Sequence, residues 1–265
     1  MRLAWLTDLH LDFLDHETKV VAFFDRVAAS GADAVLVGGD VATAPKLERH
    51  LTLLERAVRR PIYFVLGNHD FYGSSIVKVR DAVRALCGRS TWLHWLSEAG
   101  FVPLGDETGL IGHDSWADGR FGNGSRSQLL LNDFLYIEEF QGRTRQQWYE
   151  TLASLGDEAA AYFREALPEA LDQRAHVLLL THVPPFREAS WHRGKISDDE
   201  GLPLFACKAV GEVLREIMQR RPDRRLTVLC GHTHSAGVAQ ILPNLEVRTG
   251  HATYGAPCIQ DVIDV

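Results

Sequence analysis

Five short apolar runs mark the chain, and each stops abruptly on polar or glycine residues: LAWLTDLH, AVLVGGDV, IYFVLGNHD, HVLLLTHV and LTVLCGHTH. A short run rich in β-branched residues and lacking a helical period predicts a strand buried on both faces. Stretches of helical period accompany the early runs, over Thr18 to Ser30, Pro45 to Arg59 and Ser74 to Leu86, the last with Ser74 as its N-cap. Strand alternating with helix predicts parallel strands in an α/β sheet that helices cover on both sides. Further on, LIGHDSWADGRFGNGS reads as a strand leaving into a Gly-rich loop. Arg143 to about Arg174 reads as a long helical region that Pro168 breaks or kinks, and VPPFREASWHRGKISDDEG as a long polar loop. The tail, GVAQILPNLEVRTG and CIQDVIDV, predicts short antiparallel strands with a Pro-Asn turn.

Composition narrows what such a sheet can be for. At 265 residues, 46% of them apolar, the chain reads as one domain, residues 1–265, with insertions at about 112–175 and 183–202. A formal charge of -7 leaves no global positive field, so binding to nucleic acid or to an anionic membrane is not favoured and any such contact must be local. The basic stretch QRRPDRR, Gln219 to Arg225, is one place for it. Cys87, Cys207, Cys230 and Cys258 lack CxxC spacing and sit among apolar residues, which reads as small buried hydrophobes in a reducing compartment. No apolar run reaches transmembrane length, and MRLAWLTDLHLDF opens on a strand with no signal-peptide pattern, so the cytoplasm is the expected location.

The strand ends carry the chemistry. In an open α/β sheet ligands gather at the carboxyl ends of the strands, and these ends present Asp8, His10, Asp40, Asn68, His69, His182, His232 and His234. A single histidine after a strand is ordinary, but packing has no use for imidazole, carboxylate or amide at the end of every run. With His69 set aside, the set offers two carboxylates, one amide and four histidines, more than one ion takes and suited to two divalent ions. Two such ions close together require a shared anionic ligand, and Asp40, from a central strand, is the candidate. The pair would hold a hydroxide at neutral pH and polarise a phosphoryl group, the chemistry of phosphate ester hydrolysis. No GxSxG elbow supports Ser-His-Asp acyl transfer, and GGDVAT has neither the length nor the Lys of a P-loop.

In order, DLH at Asp8 to His10, GGD at Gly38 to Asp40, GNHD at Gly67 to Asp70, TH at Thr181 and His182, and GHTH at Gly231 to His234 resemble the five blocks of the calcineurin-like metallophosphoesterases. The resemblance implies an α/β fold, a four-layer α/β/β/α sandwich with two mixed sheets. It implies that Asp8, His10 and His234 hold one metal, that Asn68, His182 and His232 hold the other, that Asp40 bridges them, and that Asn68 also touches the phosphate. His69 then takes the role of general acid for the leaving oxygen. Many relatives carry a second Asp three residues after the bridging one, to orient this histidine. Here that place is Thr43, which leaves Asp70 as the candidate substitute. Asp12 reads either as a support for Asp8 or as an exposed loop residue.

Substrate choice is expected in the insertions. HDSWADGRFGNGSR brings Trp116, Arg120, Phe121 and Arg126, and SWHRGK brings Trp191, His192, Arg193 and Lys195. Aromatic residues beside cations suit a planar or nucleotide-like phosphate ester. It is equally open that Trp116 and Trp191 only pack the loops while the cations are solvated. The leading expectation is a phosphodiesterase or small-molecule phosphatase acting on a small phosphoester. A nuclease of the same chemistry is the alternative, with a protein phosphatase and a noncatalytic scaffold behind it. Mixed nitrogen and oxygen ligands suit Mn or Fe, with Zn and Co also accommodated. Oligomeric state stays open, since FACKAVGEVLREIM reads either as a core helix or as a contact surface.

Overall fold

Side chains along the strands alternate between two faces, and this period of two sorts the core into three apolar interfaces. In the computed structural model, which describes residues 1–265 with the side chain of Ser125 excepted, the first half runs β1 Arg2–Leu6, α1 Glu17–Ala28, β2 Ala34–Gly38, α2 Ala44–Val58, β3 Ile62–Val65, α3 Ile76–Cys87 and β4 Leu93–Trp95. A short α4, Leu96–Ala99, leads to β5 Val102–Pro103, β6 Thr108–His113 and α5 Asp133–Tyr136, then to the long α6 Arg145–Gln173 and β7 His176–Thr181. A small hairpin, β8 Trp191–His192 and β9 Lys195–Ile196, precedes α7 Leu202–Phe205 and α8 Lys208–Gln219. The chain closes with β10 Arg225–Cys230, β11 Gly237–Leu242, β12 Leu245–Thr249 and β13 Asp261–Asp264.

Two mixed sheets result. β1 to β4 lie side by side in parallel, and β13 pairs antiparallel with β1. The other sheet has the order β11-β12-β10-β7-β6-β5 and is parallel except at its two edge strands. Leu3, Trp5, Leu36, Val65, Leu178, Leu180 and Leu229 pack sheet against sheet. Their neighbours Ala4, Leu6, Val35, Val37 and Phe64 join a cluster with residues of α1, α2 and α3, and Val177, Leu179, Val228 and Cys230 join one with residues of α6 and α8. Three interfaces between four layers make the α/β/β/α sandwich. Helix α8 buries Val210, Val213, Leu214 and Met218, so FACKAVGEVLREIM is core.

Three local expectations change. The N-cap of α3 is Ser75, whose hydroxyl accepts from the Lys78 N–H, and Ser74 instead bridges to Ile137. Pro168 does not break α6, which continues to Gln173. The missing hydrogen bond and ring clash cost about 3 kcal/mol, offset here by the complete burial of Phe163, Leu167, Ala170 and Leu171 around it. Within the polar loop after β7, the two short strands β8 and β9 form an antiparallel hairpin.

The pairing register brings the strand ends level. Leu6 faces Val37 and Gly38 faces Val65 in one sheet, and Leu180 faces Leu229 in the other, so the residues after each pair emerge at one edge. Asp114, fully buried, fastens that edge. Its Oδ1 accepts from the Leu66 N–H and the Trp95 Nε1–H, both at 2.8 Å, and from the Ser97 hydroxyl at 2.9 Å, tying β6 to the turn after β3. Beside it His113 is buried, and burial pulls its pKa down from 6.5 to about 4. A base whose folded pKa is depressed contributes stability above pH 6.5 that is lost as pH falls towards about 4, here about 3 kcal/mol. Urea denaturation across that window should show the loss, and His113→Asn should remove this share of the pH dependence.

Candidate metal centre

The residues after the strands occupy backbone conformations that side chains rarely adopt. Asp8, His10, Asp40, His232 and His234 all have φ between 43° and 67°, and among the described residues only Arg59, Ser115 and Arg193 otherwise share that region without being glycine. Strain gathered at one edge of two sheets has to be held by its surroundings. Asp70 does much of the holding. Its buried carboxylate accepts from the backbone N–H groups of Asp40, Val41, Ala42 and Gly67 at 2.8–3.0 Å, pinning the turns after β2 and β3 to each other. Two glycines let the carboxylates rest against backbone: a Cβ at Gly67 would collide with the Asp40 carboxylate, and one at Gly231 with that of Asp8.

Asp8, His10, Asp40 and His234 offer four donor atoms that all lie within 4.8 Å of one another. His10 Nε2 and His234 Nε2 are 3.1 Å apart, Asp8 Oδ1 is 3.4 Å from His234 Nε2, and Asp40 Oδ2 is 3.7 Å from His10 Nε2. The same Asp40 Oδ2 is 3.5 Å from His182 Nε2, which belongs to a second group.

In that second group the hydrogen bonds fix the tautomers. His182 Nδ1 is 2.8 Å from the Gly38 carbonyl, and His232 Nε2 is 2.9 Å from the Leu204 carbonyl. A carbonyl can only accept, so in a neutral imidazole these nitrogens carry the protons and the other nitrogens carry lone pairs. Those lone pairs, His182 Nε2 and His232 Nδ1, both point at Asn68 Oδ1, at 3.1 and 3.0 Å. The Asn68 amide is itself oriented, because its Nδ2 donates to Asp133 Oδ1 at 2.8 Å. Three acceptors therefore meet with no proton among them, an arrangement that a cation satisfies.

Electrostatics point the same way. Burial lowers His10 to about 2 and His232 to about 4, and lowers His182 as well, so these rings are neutral and free to ligate at pH 7. Burial and the neighbouring Asp8 raise the Asp40 carboxyl well above the usual carboxylate range. For Asp8 burial acts upward, but the hydrogen bond with His234 and the surrounding imidazoles take it far down. Burial acts to lower His234, but the hydrogen bond and charge of Asp8 outweigh it and raise its pKa, so one imidazole shares two buried carboxylates with rings that stay neutral, and the residues present fit divalent metal.

His69 stands beside this set. Its ring stacks on Tyr72, with centroids 4.3 Å apart and planes at 27°, and meets His10 edge-on at 4.5 Å. Among the described residues the ring makes no hydrogen bond. The expectation that Asp70 orients it is not met, because both Asp70 oxygens are occupied by backbone amides; Thr43 lines the same groove as His69. Burial holds His69 below its ordinary pKa, against the pull of Asp133 and Asp8, so a proton taken on here is readily given up.

A cleft of about 320 Å³ opens over the set, lined by Asp40, Asn68, His69, His192, His232 and His234 together with Tyr72, Leu130, Phe205 and Tyr254. Of the loop residues expected to read substrate, only His192 lines it. Trp116 is 3% exposed and packs on Phe71 and Phe140. Arg120 is tied to Asp157 and Asp118. Trp191 lies under Gly237 of β11, where a Cβ would strike its ring, and Arg193 sits exposed in the hairpin turn. Asp12 lines the groove beside His69, and His251 is exposed.

Sequence reasoning missed Asp133, Tyr72 and Tyr254. Asp133 is 4% exposed, and its Oδ1 also accepts from the Tyr72 hydroxyl at 2.5 Å. An acid inside the apolar LLLNDFLY was the available signal. Asp133→Ala frees the Asn68 amide to rotate, and metal titration should find about 10- to 100-fold weaker binding of one ion, the usual loss when the support of a ligand is removed. Unchanged affinity for both ions would show that Asn68 needs no such support.

The comparisons agree with this geometry. Residues 1–236 match the family model described as calcineurin-like phosphoesterase. No curated protein matches the chain in sequence. Among solved structures it is similar to the phosphopantetheinyl hydrolase of Mycobacterium tuberculosis, at 15% identity and a TM-score of 0.67 over 96% of this chain and 89% of that one. It is also similar to a dimetal phosphatase from Danio rerio, at 11% and 0.62 over 97% and 89%. The 5'-nucleotidase of Candida albicans is similar at 12% and 0.51 over 94% of this chain and 45% of that one. These likenesses carry the fold, whereas the match along residues 1–236 carries the family: the chain belongs to the calcineurin-like phosphoesterases and is a metal-dependent hydrolase of phosphoesters.

Proposed function

We propose that the chain hydrolyses small phosphoesters, phosphodiesters or small-molecule monoesters, with two divalent transition-metal ions. The carrying observation is the meeting of His182 Nε2, His232 Nδ1 and Asn68 Oδ1 without a proton, beside a four-donor cluster that shares Asp40 with it. In this reading Asp8, His10 and His234 hold one ion, Asn68, His182 and His232 the other, and Asp40 both. When bound, the ions supply Lewis acidity and a nucleophile at neutral pH. The chain's own residues do the rest. Asp70 and Asp133 keep the donors in place, Asn68 would also touch the phosphate, and His69 would protonate the departing oxygen. The mixed nitrogen and oxygen donors favour Mn or Fe over Ca. The free cysteines suit a reducing compartment such as the cytoplasm, and among the described residues no helix is long and apolar enough to cross a membrane.

A nuclease has less support. Arg225 begins β10, whereas the site follows that strand's other end, so QRRPDRR lies at the far side of the sheet. Its arginines are also partly spent, Arg220 on Glu216, Arg221 on Asp172 and Arg224 on Asp223. The test is elemental analysis of protein purified without chelator, followed by a panel of monoester, diester, cyclic nucleotide and DNA substrates in Mn²⁺. About two metal equivalents and turnover of small esters are expected. Strong cleavage of single-stranded DNA that falls steeply with salt, with negligible turnover of small esters, would establish the nuclease instead.

A further inference from the structure

Beyond His69 the cleft runs on into a second groove of about 460 Å³, sharing His69, Tyr72 and Asn132 with the first. None of the other donor residues lines it, so His69 is where the groove meets the chemistry. Phe13, Tyr72 and Tyr136 line it; Tyr72 pairs with Tyr136, centroids 5.5 Å apart, and Phe13 with Tyr254 of the first cleft, 4.4 Å apart. Phe13, Tyr136 and Tyr254 are 52%, 49% and 48% exposed, and among the described residues they are the only aromatic side chains so exposed. Exposed aromatics scattered singly would mean little, but Phe13 and Tyr136 line the groove and Tyr254 lines the cleft that it joins, so the three mark one continuous binding surface.

Charge limits what can bind there. Among the described residues neither the cleft nor the groove is lined by Lys or Arg, and the groove's one charged group apart from His69 is the Asp12 carboxylate. A ligand bearing a second phosphate or a carboxylate would meet no counter-charge and one repulsive charge. A flat, uncharged group would cover the exposed rings and gain stacking.

We propose that this groove receives the leaving group of the ester, and that this group is flat or apolar and carries no negative charge. The assignment rests on the hydrolase reading and on His69 as proton donor. As the P–O bond to the leaving group breaks, the hydroxyl of water joins phosphorus, the water's other proton goes to solvent, and the His69 proton passes to the departing oxygen, after which solvent reprotonates His69. A neutral phenol or alcohol is then released between the rings. Esters whose leaving part is itself anionic, such as a polyphosphate or a nucleotide chain, are excluded by Asp12 and by the lack of cations.

Two measurements on the full chain loaded with Mn²⁺ test this separately from hydrolysis and through it. In the first, 2-methoxynaphthalene, which can neither ligate as a phenolate nor react, is titrated into the protein. It should bind, and Phe13→Ala and Tyr136→Ala should each weaken it about tenfold, while Val238→Ala, an exposed apolar change on β11, should not. In the second, methyl 2-naphthyl phosphate should have a kcat/KM about tenfold or more above that of its carboxylated naphthyl analogue, and Asp12→Asn should narrow the gap. Binding indifferent to both aromatic variants, or equal turnover of the two esters, overturns the assignment. Binding of the ether as expected with no hydrolysis of any ester overturns the hydrolase reading, and the leaving-group role with it.

Discussion

Asp40→Asn is expected to empty the chain of both metals and to cut turnover of every substrate about a thousandfold or more, while making the metal-free protein harder to melt. Among the described residues Asp40 is the one group close to both donor sets, with Oδ2 at 3.7 Å from His10 Nε2 and 3.5 Å from His182 Nε2. Losing a terminal donor such as His234 touches one set only, so that variant should keep the ion of the other. The stability half follows from charge. Burial and Asp8 raise the Asp40 pKa in the folded state above its ordinary 3.8. A group whose folded pKa is raised contributes stability that is full below its ordinary 3.8 and is lost as pH climbs through the raised value, so towards neutral pH the metal-free fold bears the cost of keeping this carboxyl out of water. Asparagine has the same shape, can still accept from the His69 N–H that Asp40 Oδ1 holds at 2.8 Å, and removes the charge. In chelator the variant should melt about 5 °C or more above the parent, whereas with Mn²⁺ the order should reverse. Retention of two metal equivalents by elemental analysis, or a lower melting point in chelator, would show that Asp40 is neither shared nor strained.

The donor set was legible from sequence because its position is a property of strands. Parallel strands buried on both faces must read as unbroken apolar runs, and level register carries whatever follows them to one edge, so Asp8, Asp40, Asn68, His182 and His232 could be collected without knowing any loop. The pocket walls had no such rule. Trp116 and Trp191 look alike in sequence to ligand-stacking residues, and only tertiary packing sends one onto Phe71 and the other beneath Gly237. Arg120 follows an acid two residues before it and meets another on α6, so its charge is spent within the fold. The aromatic residues that do open to solvent beside the site, Phe13, Tyr136 and Tyr254, come from three distant segments, and Tyr254 lies beyond the residues that match the family. Ser74 and Ser75 are equally good caps in isolation, and the bridge from Ser74 to Ile137 decides between them. Pro168 misled for a related reason: helix propensity is local, and the burial that overrides it is not.

His69→Ala should leave both metals bound, lose about a hundredfold or more in turnover on esters of poor leaving groups, and lose far less on nitrophenyl esters, which depart without a proton. The ring lies outside both donor sets yet lines the cleft and the groove beyond it, the position required of a group that serves the leaving oxygen. No carboxylate holds it, unlike the arrangement that the family resemblance implies for many relatives; the face of Tyr72 does. That substitution of stacking for a hydrogen bond has its own consequence. Tyr72→Phe keeps the ring beneath His69 and gives up only the hydroxyl, which donates to Asp133 and accepts from the Asn68 amide, whereas Tyr72→Leu gives up the same hydroxyl and also the face on which His69 rests. The leucine variant should lose about tenfold more than the phenylalanine variant on poor leaving groups, with metal content alike in both and nitrophenyl hydrolysis alike as well. Equal losses in the two variants would mean that stacking does not place the acid. Loss of metal from His69→Ala, or equal losses on both classes of ester, would make the histidine a ligand rather than a proton donor.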